Sequence, residues 1–391
     1  MDKKALRLRN WIDIRQFRPP VIESLSNYDS SMWSGDWRAG VNVALLAIPQ
    51  GMAYALVAGL PISYGLLGSA IAAIMGGIFG GGRFITLGPT NATAVLLFGV
   101  FAGIGLIQAD GMASSDALLL LPWILIASAL FLIVASVLRI SFMIQFISRT
   151  VITAYVTAAC CLIIANQCKH LLGLQNSSSE VPTTFFEIIL NACLSLQSFS
   201  VPALTLSIIT AILFLLLQRK FPSLPNVAIT LVLSSLVAIG LEEINWKITK
   251  LDNFDLAGSF LTFPETSNFT NHWETILSAA FAVSLLCLLE GLSIGKSLAA
   301  RAGSRLDSNQ EAMSIGFGNL GCAFFSGMPA SGSLTRSTLN VQSGARTSIA
   351  NLVAGGLIIL VSGFLGNLIS YVPLCSLATL VVFIGASLIK L

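Results

Sequence analysis

Most of the chain between residues 38 and 389 lies in twelve apolar stretches, most of them of roughly bilayer-crossing length. They run at 38–58, 63–80, 90–108, 117–138, 146–168, 202–218, 226–241, 275–299, 309–326, 333–344, 346–366 and 369–389. A hydrocarbon core about 30 Å thick is crossed by roughly 20 helical residues. No water reaches that core, so each backbone N–H and C=O must bond within its own segment, as it does in a helix. Of the 391 residues, 55% are hydrophobic and only 10% charged, and the mean hydropathy is +0.84. The fold class that follows is an all-α polytopic membrane protein.

Two stretches break this rule. Gly88-Pro89-Thr90-Asn91-Ala92-Thr93 opens the third, and Gly327-Met328-Pro329-Ala330-Ser331-Gly332-Ser333-Leu334-Thr335-Arg336 opens the tenth. Each sets helix-breaking Pro and Gly beside small hydroxyl or amide residues. Irregular backbone at membrane depth survives only where protein buries it or it lines a wet cavity. A helix starting there turns free N–H groups and about half a positive charge toward that cavity, which favours an anion. The two breaks lie about seven stretches apart, and an odd repeat inserts its second copy upside down. The expected arrangement is an inverted repeat whose two half-helix N-termini meet near the midplane.

Charge sets the orientation. With the N-terminus in the cytosol and sides alternating, sixteen Lys and Arg fall on cytosolic segments. Only Lys169, Lys247 and Lys250 fall outside, and Arg336 and Lys390 lie within stretches. That is the positive-inside pattern. Residues 1–37, basic with interleaved Trp11, Phe17, Trp33 and Trp37, are expected as a cytosolic amphipathic segment on the interface. No apolar core of a cleavable signal occurs there. Residues 169–200 are expected to hold a short interfacial helix, and 242–274 to form a long acidic external loop with His272. The seven cysteines have no metal-ligand spacing and are read as small buried apolar residues.

Four further groups stand out. Pro49 lies inside the first stretch, and Gln50 and Tyr54, four apart, share a face there. They serve either helix–helix hydrogen bonding or substrate contact. Glu290 lies mid-stretch, where a carboxylate costs roughly 2.5–3.5 kcal/mol on insertion scales. Protonation, an ion, or an ion pair with Arg336 would offset that cost. Arg336 is either a snorkelling helix-end residue or an oxyanion ligand. Gly291–Ser297 imitates a phosphate-binding loop, but only three residues separate its glycines where four are needed, so nucleotide binding is not expected. His170 and His272 are too few for a metal or catalytic cluster. No cofactor, nucleic acid or enzymatic reaction is expected.

Three blocks resemble the sulfate permease (SulP) family of anion transporters: Gly40–Gly65, Leu289–Gly303 with Asn309-Gln310-Glu311, and Pro329–Thr347. The resemblance runs from about Trp37 to the end. It implies the seven-plus-seven inverted-repeat fold shared with nucleobase transporters. The core domain would span about 38–138 and 275–366, and the gate about 146–241 and 369–391. It further implies two more helices and a cytosolic STAS domain, both absent from this chain, so the sequence is expected to be a piece of a longer, homodimeric protein cut near the twelfth helix. By resemblance the substrate-binding residues are Gln50, Tyr54, Thr90, Asn91, Ser331, Ser333, Thr335 and Arg336, with Glu290 as the coupling acid. In the family's sodium-coupled bicarbonate branch an Asp stands at position 290 with a Thr one turn later. Here Ile294 stands there and offers no oxygen, which favours a coupling proton. The expected function is plasma-membrane, proton-coupled uptake of an inorganic oxyanion, sulfate first, by an elevator-type mechanism. Sodium-dependent bicarbonate uptake and an anion channel or exchanger are the alternatives.

Overall fold

Helix starts in this chain are set by short polar caps between apolar runs. Asp29, Thr90, Ser114, Asp307 and Ser333 each hold an extended backbone, and each accepts a hydrogen bond from an amide in the following first turn. The computed structural model describes residues 19–108, 112–139, 149–174, 185–221, 226–243, 245–251, 261, 263–264, 266–301, 303 and 305–388.

In chain order these residues form α1 (Val21–Ser26), α2 (Ser30–Val57), α3 (Ile62–Phe79), β1 (Leu87–Gly88), α4 (Asn91–Gly103), α5 (Ser115–Val137), α6 (Arg149–Leu172) and α7 (Phe185–Leu194). After a short 3-10 turn follow α8 (Val201–Lys220), α9 (Asn226–Glu242), α10 (Thr266–Arg301), α11 (Ser308–Phe324), β2 (Ser331–Gly332), α12 (Leu334–Gln342), α13 (Ile349–Ile369) and α14 (Leu374–Leu388). Each of the twelve apolar stretches holds a helix. Among the described residues, five helices are long and apolar enough to cross a membrane by themselves: α2, α3, α5, α8 and the part of α10 from His272. The others are shorter or more polar.

Several boundaries differ from the sequence reading. The first long helix begins at Ser30, not at 38, because Asp29 caps it, and Trp33 and Trp37 lie on it with ring centroids 5.7 Å apart. Residues 1–18 of the expected amphipathic leader, Trp11 and Phe17 included, lie outside the described residues. The last part of the expected 242–274 loop is helical from Thr266, and His272 marks a kink (φ −131°, ψ 22°) rather than a loop. His170 sits in the last turn of α6. Four cysteines are buried, Cys168 is half-buried, and Cys161 and Cys193 are exposed, so burial holds for only part of the set.

The packing carries an internal repeat. α3 lies on α13 and α2 on α13, and correspondingly α11 lies on α5 and α10 on α5. Matching α2, α3, β1–α4 and α5 to α10, α11, β2–α12 and α13 turns each of these contacts into its counterpart. β1 and β2 pair antiparallel, as an inverted two-fold relation requires, with Leu87 opposite Gly332 and Gly88 opposite Ser331. A second group packs on itself, α14 against α6 and α8 and α9 against α8. It touches the first through α4–α6, α9–α2 and α14–α2.

Lipid tails are as apolar as leucine, so tight van der Waals contact holds such helices together and small residues mark their closest crossings. At the α2–α3 crossing a Cβ on Gly65 would lie 1.9 Å from the Gly51 carbonyl oxygen. That crossing fixes the segment of α2 carrying Pro49, Gln50 and Tyr54. Pro49 has no N–H for the Leu45 carbonyl, which loosens the helix one residue before Gln50.

Candidate functional site

Both expected breaks are real and adjacent. Thr90 is extended (φ −128°, ψ 163°) and starts α4 with a reciprocal capping box, in which its hydroxyl accepts from the Thr93 amide and the Thr93 hydroxyl accepts from the Thr90 amide. Ser333 (φ −104°, ψ 121°) starts α12, and its hydroxyl accepts from the Arg336 amide. Its own N–H donates to the Thr86 carbonyl at 3.1 Å, extending the two-residue ladder between the repeats. The first-turn amides of Asn91, Leu334 and Thr335 have no helical carbonyl upstream to bond.

Side chains from the surrounding helices supply the partners these irregular segments lack. Asn319 on α11 donates to the Ala330 carbonyl at 2.9 Å and accepts from the Ala330 amide at 3.1 Å. Asn351 on α13 donates to the Ile85 carbonyl and accepts from the Thr86 hydroxyl, both at 2.8 Å. Ser337 accepts from the Thr86 amide at 3.0 Å, and Asn340 donates to the Phe84 carbonyl at 3.2 Å. Two buried carboxylates hold turns at one end of the same assembly. Glu311 accepts from the amides of Gly81 and Gly82 at 3.1 and 3.2 Å. Asp36 accepts from the amides of Arg346 and Thr347 at 2.6 and 3.0 Å and from the Thr347 hydroxyl at 2.6 Å. The Tyr28 phenol also donates to Asp36, and burial, then the Asp36 charge, push its pKa up to about 12. Sequence reasoning named none of Asn319, Asn351 or Asp36 as site-building residues. The available signal was an amide inside an otherwise apolar stretch, since such groups face protein rather than lipid.

The sequence-derived residues divide by what they touch. Arg336 is fully buried, and its Nη2 donates to the Pro89 carbonyl at 2.5 Å, across the repeat boundary. Among the described residues its Nε and Nη1 have no hydrogen-bond partner, nor do the Gln50 Oε1 and the two amide atoms of Asn91. The guanidinium crosses directly over Gly88, where a Cβ would come within 2.5 Å of Nη1. Gln50 Nε2 donates to the Thr335 hydroxyl at 3.4 Å, and the Ser333 and Thr335 hydroxyls lie 3.2 Å apart. Tyr54, one turn beyond Gln50, is buried in the main apolar cluster. Ser331 is spoken for, donating to the Cys287 carbonyl at 2.8 Å. Glu290 accepts from the Thr90 hydroxyl at 2.8 Å. Among the described residues no ion pair within 4.0 Å joins Glu290 to Arg336, so the simple ion-pair reading of these two charges does not describe this state.

The two helix starts and their neighbours carry one buried cation with two spare donor nitrogens, three hydroxyls and, in the first turn of α4, an amide with both atoms spare. This donor-rich set matches an oxyanion. Among the described residues no three His, Cys, Asp or Glu side chains cluster as metal ligands. A separate crevice of about 360 Å³ between α6, α8 and α14 is lined by groups such as Leu171, Ile208 and Phe383, which offer nothing to an anion.

Comparison with known proteins places the chain. It is 29% identical over 385 residues to the chloroplastic sulfate transporter 4.1 of Arabidopsis thaliana, covering 97% of this chain and 54% of that protein. The chain spans about half the length of the curated relatives it matches first. Its fold is that of the transmembrane domain of a cyanobacterial bicarbonate transporter, BicA (TM-score 0.82, 21% identity, 93% of this chain and 90% of that one). It is equally that of the murine Solute Carrier 26 family member A9 anion transporter in its inward-facing state (TM-score 0.82, 20% identity, 95% and 63%). Both likenesses establish the inverted-repeat membrane fold. The sulfate permease family model matches residues 34–391, and with that match over nearly its whole length the chain belongs to the sulfate permease family.

Proposed function

We propose that this chain is the membrane part of a secondary active transporter of an inorganic oxyanion, and that the anion is sulfate taken up with a proton. The observation that carries this reading is Arg336: a fully buried guanidinium with two nitrogens unpartnered among the described residues, lying between two helix starts from opposite repeats. The anion would rest against the N-termini of α4 and α12, contacted by Gln50, Tyr54, Thr90, Asn91, Ser333, Thr335 and Arg336, with Ser331 as backbone support. Several relatives carry sulfate in their printed names, which supports sulfate as the first substrate to try.

Moving an anion into an inside-negative cell costs about 2.3 kcal/mol per charge per 100 mV. A proton carried on Glu290 offsets one such charge. Glu290 is suited to that task because its hydrogen-bonding neighbours, Thr90 and Ser331, are hydroxyls, which serve both the acid and the carboxylate. The two packing groups give the parts of an elevator mechanism, with α2–α5 and α10–α13 moving as the core against α6, α8, α9 and α14 as the gate. The Lys and Arg distribution supports a cytosolic N-terminus, and the membrane of this reading is the plasma membrane. A homodimer is part of this reading.

The bicarbonate reading draws on the BicA fold likeness. Against it, Ile294 places a hydrocarbon one turn after Glu290, where a sodium ion would need oxygen. Counterflow in liposomes tests both readings. Labelled sulfate should exchange saturably and accumulate under an inward proton gradient without sodium. Sodium-dependent bicarbonate flux without sulfate flux overturns the sulfate assignment, and unsaturable conductance overturns the carrier.

A further inference from the structure

Glu290 does not end its hydrogen bonding at Thr90. The Thr90 hydroxyl lies 2.8 Å from Glu290 Oε2 and 3.1 Å from the Thr93 hydroxyl. The Thr93 hydroxyl in turn lies 3.3 Å from the carbonyl oxygen of Pro329, in the other repeat, and 3.0 Å from the Thr90 carbonyl. Thr93 is fully buried and Thr90 nearly so. A chain of two hydroxyls therefore runs from the acid on α10, through the cap of α4, to the backbone just ahead of β2.

Each hydroxyl has one proton to donate. A carboxylate only accepts, so an ionised Glu290 takes the Thr90 proton. Thr90 then accepts from Thr93, and the chain points Thr93 to Thr90 to Glu290, each bond polarised by the next toward the charge. A protonated Glu290 donates instead. Thr90 turns its proton to Thr93, and Thr93 turns its own to the two carbonyls within reach, that of Thr90 at 3.0 Å and, across the repeats, that of Pro329 at 3.3 Å. The added proton comes from solution and stays on Glu290, while the hydroxyl protons only rotate about their C–O bonds. The Thr93–Pro329 bond between the repeats, shared with the Thr90 carbonyl, is thus available when Glu290 carries a proton and withdrawn when it does not. Other titratable or charged groups around Glu290 are Arg336 on α12, Tyr54 on α2, Cys160 on α6 and Cys287 one turn earlier on α10. None of these is a link in this hydroxyl chain.

We propose that Thr90 and Thr93 are positioning residues that transmit the charge state of Glu290 to the contact between the two half-helix starts. This rests on the reading of Glu290 as the coupling acid. The test uses the full chain in liposomes and compares sulfate uptake driven by a proton gradient with sulfate exchange at equal pH on both sides. In Thr93→Val the ratio of driven uptake to exchange should fall about fivefold, the lower end of ordinary coupling between sites. Thr93→Ser should hold the wild-type ratio within about twofold, well under that range. A structural lesion lowers both fluxes and leaves their ratio alone. An unchanged ratio in Thr93→Val, with the ratio collapsed in Glu290→Gln, overturns the relay and keeps the acid. A ratio unchanged in Glu290→Gln removes the acid and the relay with it. Thermal melting of each purified variant identifies any that fail to fold, and Thr90→Val with its Thr90→Ser rescue repeats the ratio test at the other hydroxyl.

Discussion

Replacing Asn319 by alanine should do more damage than a typical polar substitution in a membrane helix. Side-chain hydrogen bonds between membrane helices average about 0.6 kcal/mol, because their partners find substitutes when the helices separate. Asn319 bonds something else: both backbone groups of one irregular residue, Ala330, which is 1% exposed. Asn319→Ala takes away the partner that the Ala330 N–H and its carbonyl both use. A buried polar group left unsatisfied costs about 1–3 kcal/mol, so the two together predict a loss of about 2–4 kcal/mol after partial relaxation. Part of that loss should appear as displacement of β2, and each 1.4 kcal/mol so spent weakens anion affinity about tenfold. Unfolding monitored in detergent by tryptophan fluorescence gives the stability, and labelled-sulfate binding gives the affinity. Asn319→Asp, which keeps the acceptor and loses the donor, should fall between wild type and alanine. A loss below about 1 kcal/mol in Asn319→Ala, with sulfate affinity unchanged, refutes the argument that this amide stands in for a missing strand neighbour.

Gly65→Ala should separate α2 from α3, since its Cβ would sit 1.9 Å from the Gly51 carbonyl oxygen, costing about 1–3 kcal/mol and disturbing Gln50; a melting temperature within a degree of wild type would contradict the crossing. Asp36→Ala takes the acceptor from the part-buried amides of Arg346 and Thr347 at the α12–α13 turn and should destabilise by about 1–3 kcal/mol. Asp36→Asn keeps an acceptor oxygen and should lose less, so equal melting temperatures for the two would show that the carboxylate is idle. Arg336→Lys replaces a planar five-donor fork by a point charge and should weaken sulfate binding about tenfold or more while the protein still folds. Undiminished sulfate affinity in Arg336→Lys would place the anion elsewhere.

The two breaks were legible from residue type alone, because Pro89 and Pro329 cannot continue a helix and Thr90 and Ser333 are good caps. The inverted repeat followed from their odd spacing in stretches, and antiparallel pairing of β1 with β2 is its consequence in space. Boundaries set by capping chemistry were less legible. Asp29 starts a helix ahead of any apolar run, and Thr266 starts one inside what reads as an acidic loop.

By itself the sequence determined that the chain lies in a membrane, that it is helical, and where its helices are interrupted. Those properties follow from hydropathy and backbone hydrogen bonding within one segment. Only the tertiary structure decided who satisfies the interruptions. Asn319 reaches eleven residues along the chain to Ala330, while Asn351 reaches back 266 to Ile85 and Arg336 reaches back 247 to Pro89. Such partners are chosen by how helices from two repeats pack, and a residue's own neighbours in sequence carry no record of that. For the same reason Arg336 and Glu290, an obvious pair by charge, are held apart: the packing hands one to a carbonyl and the other to a hydroxyl.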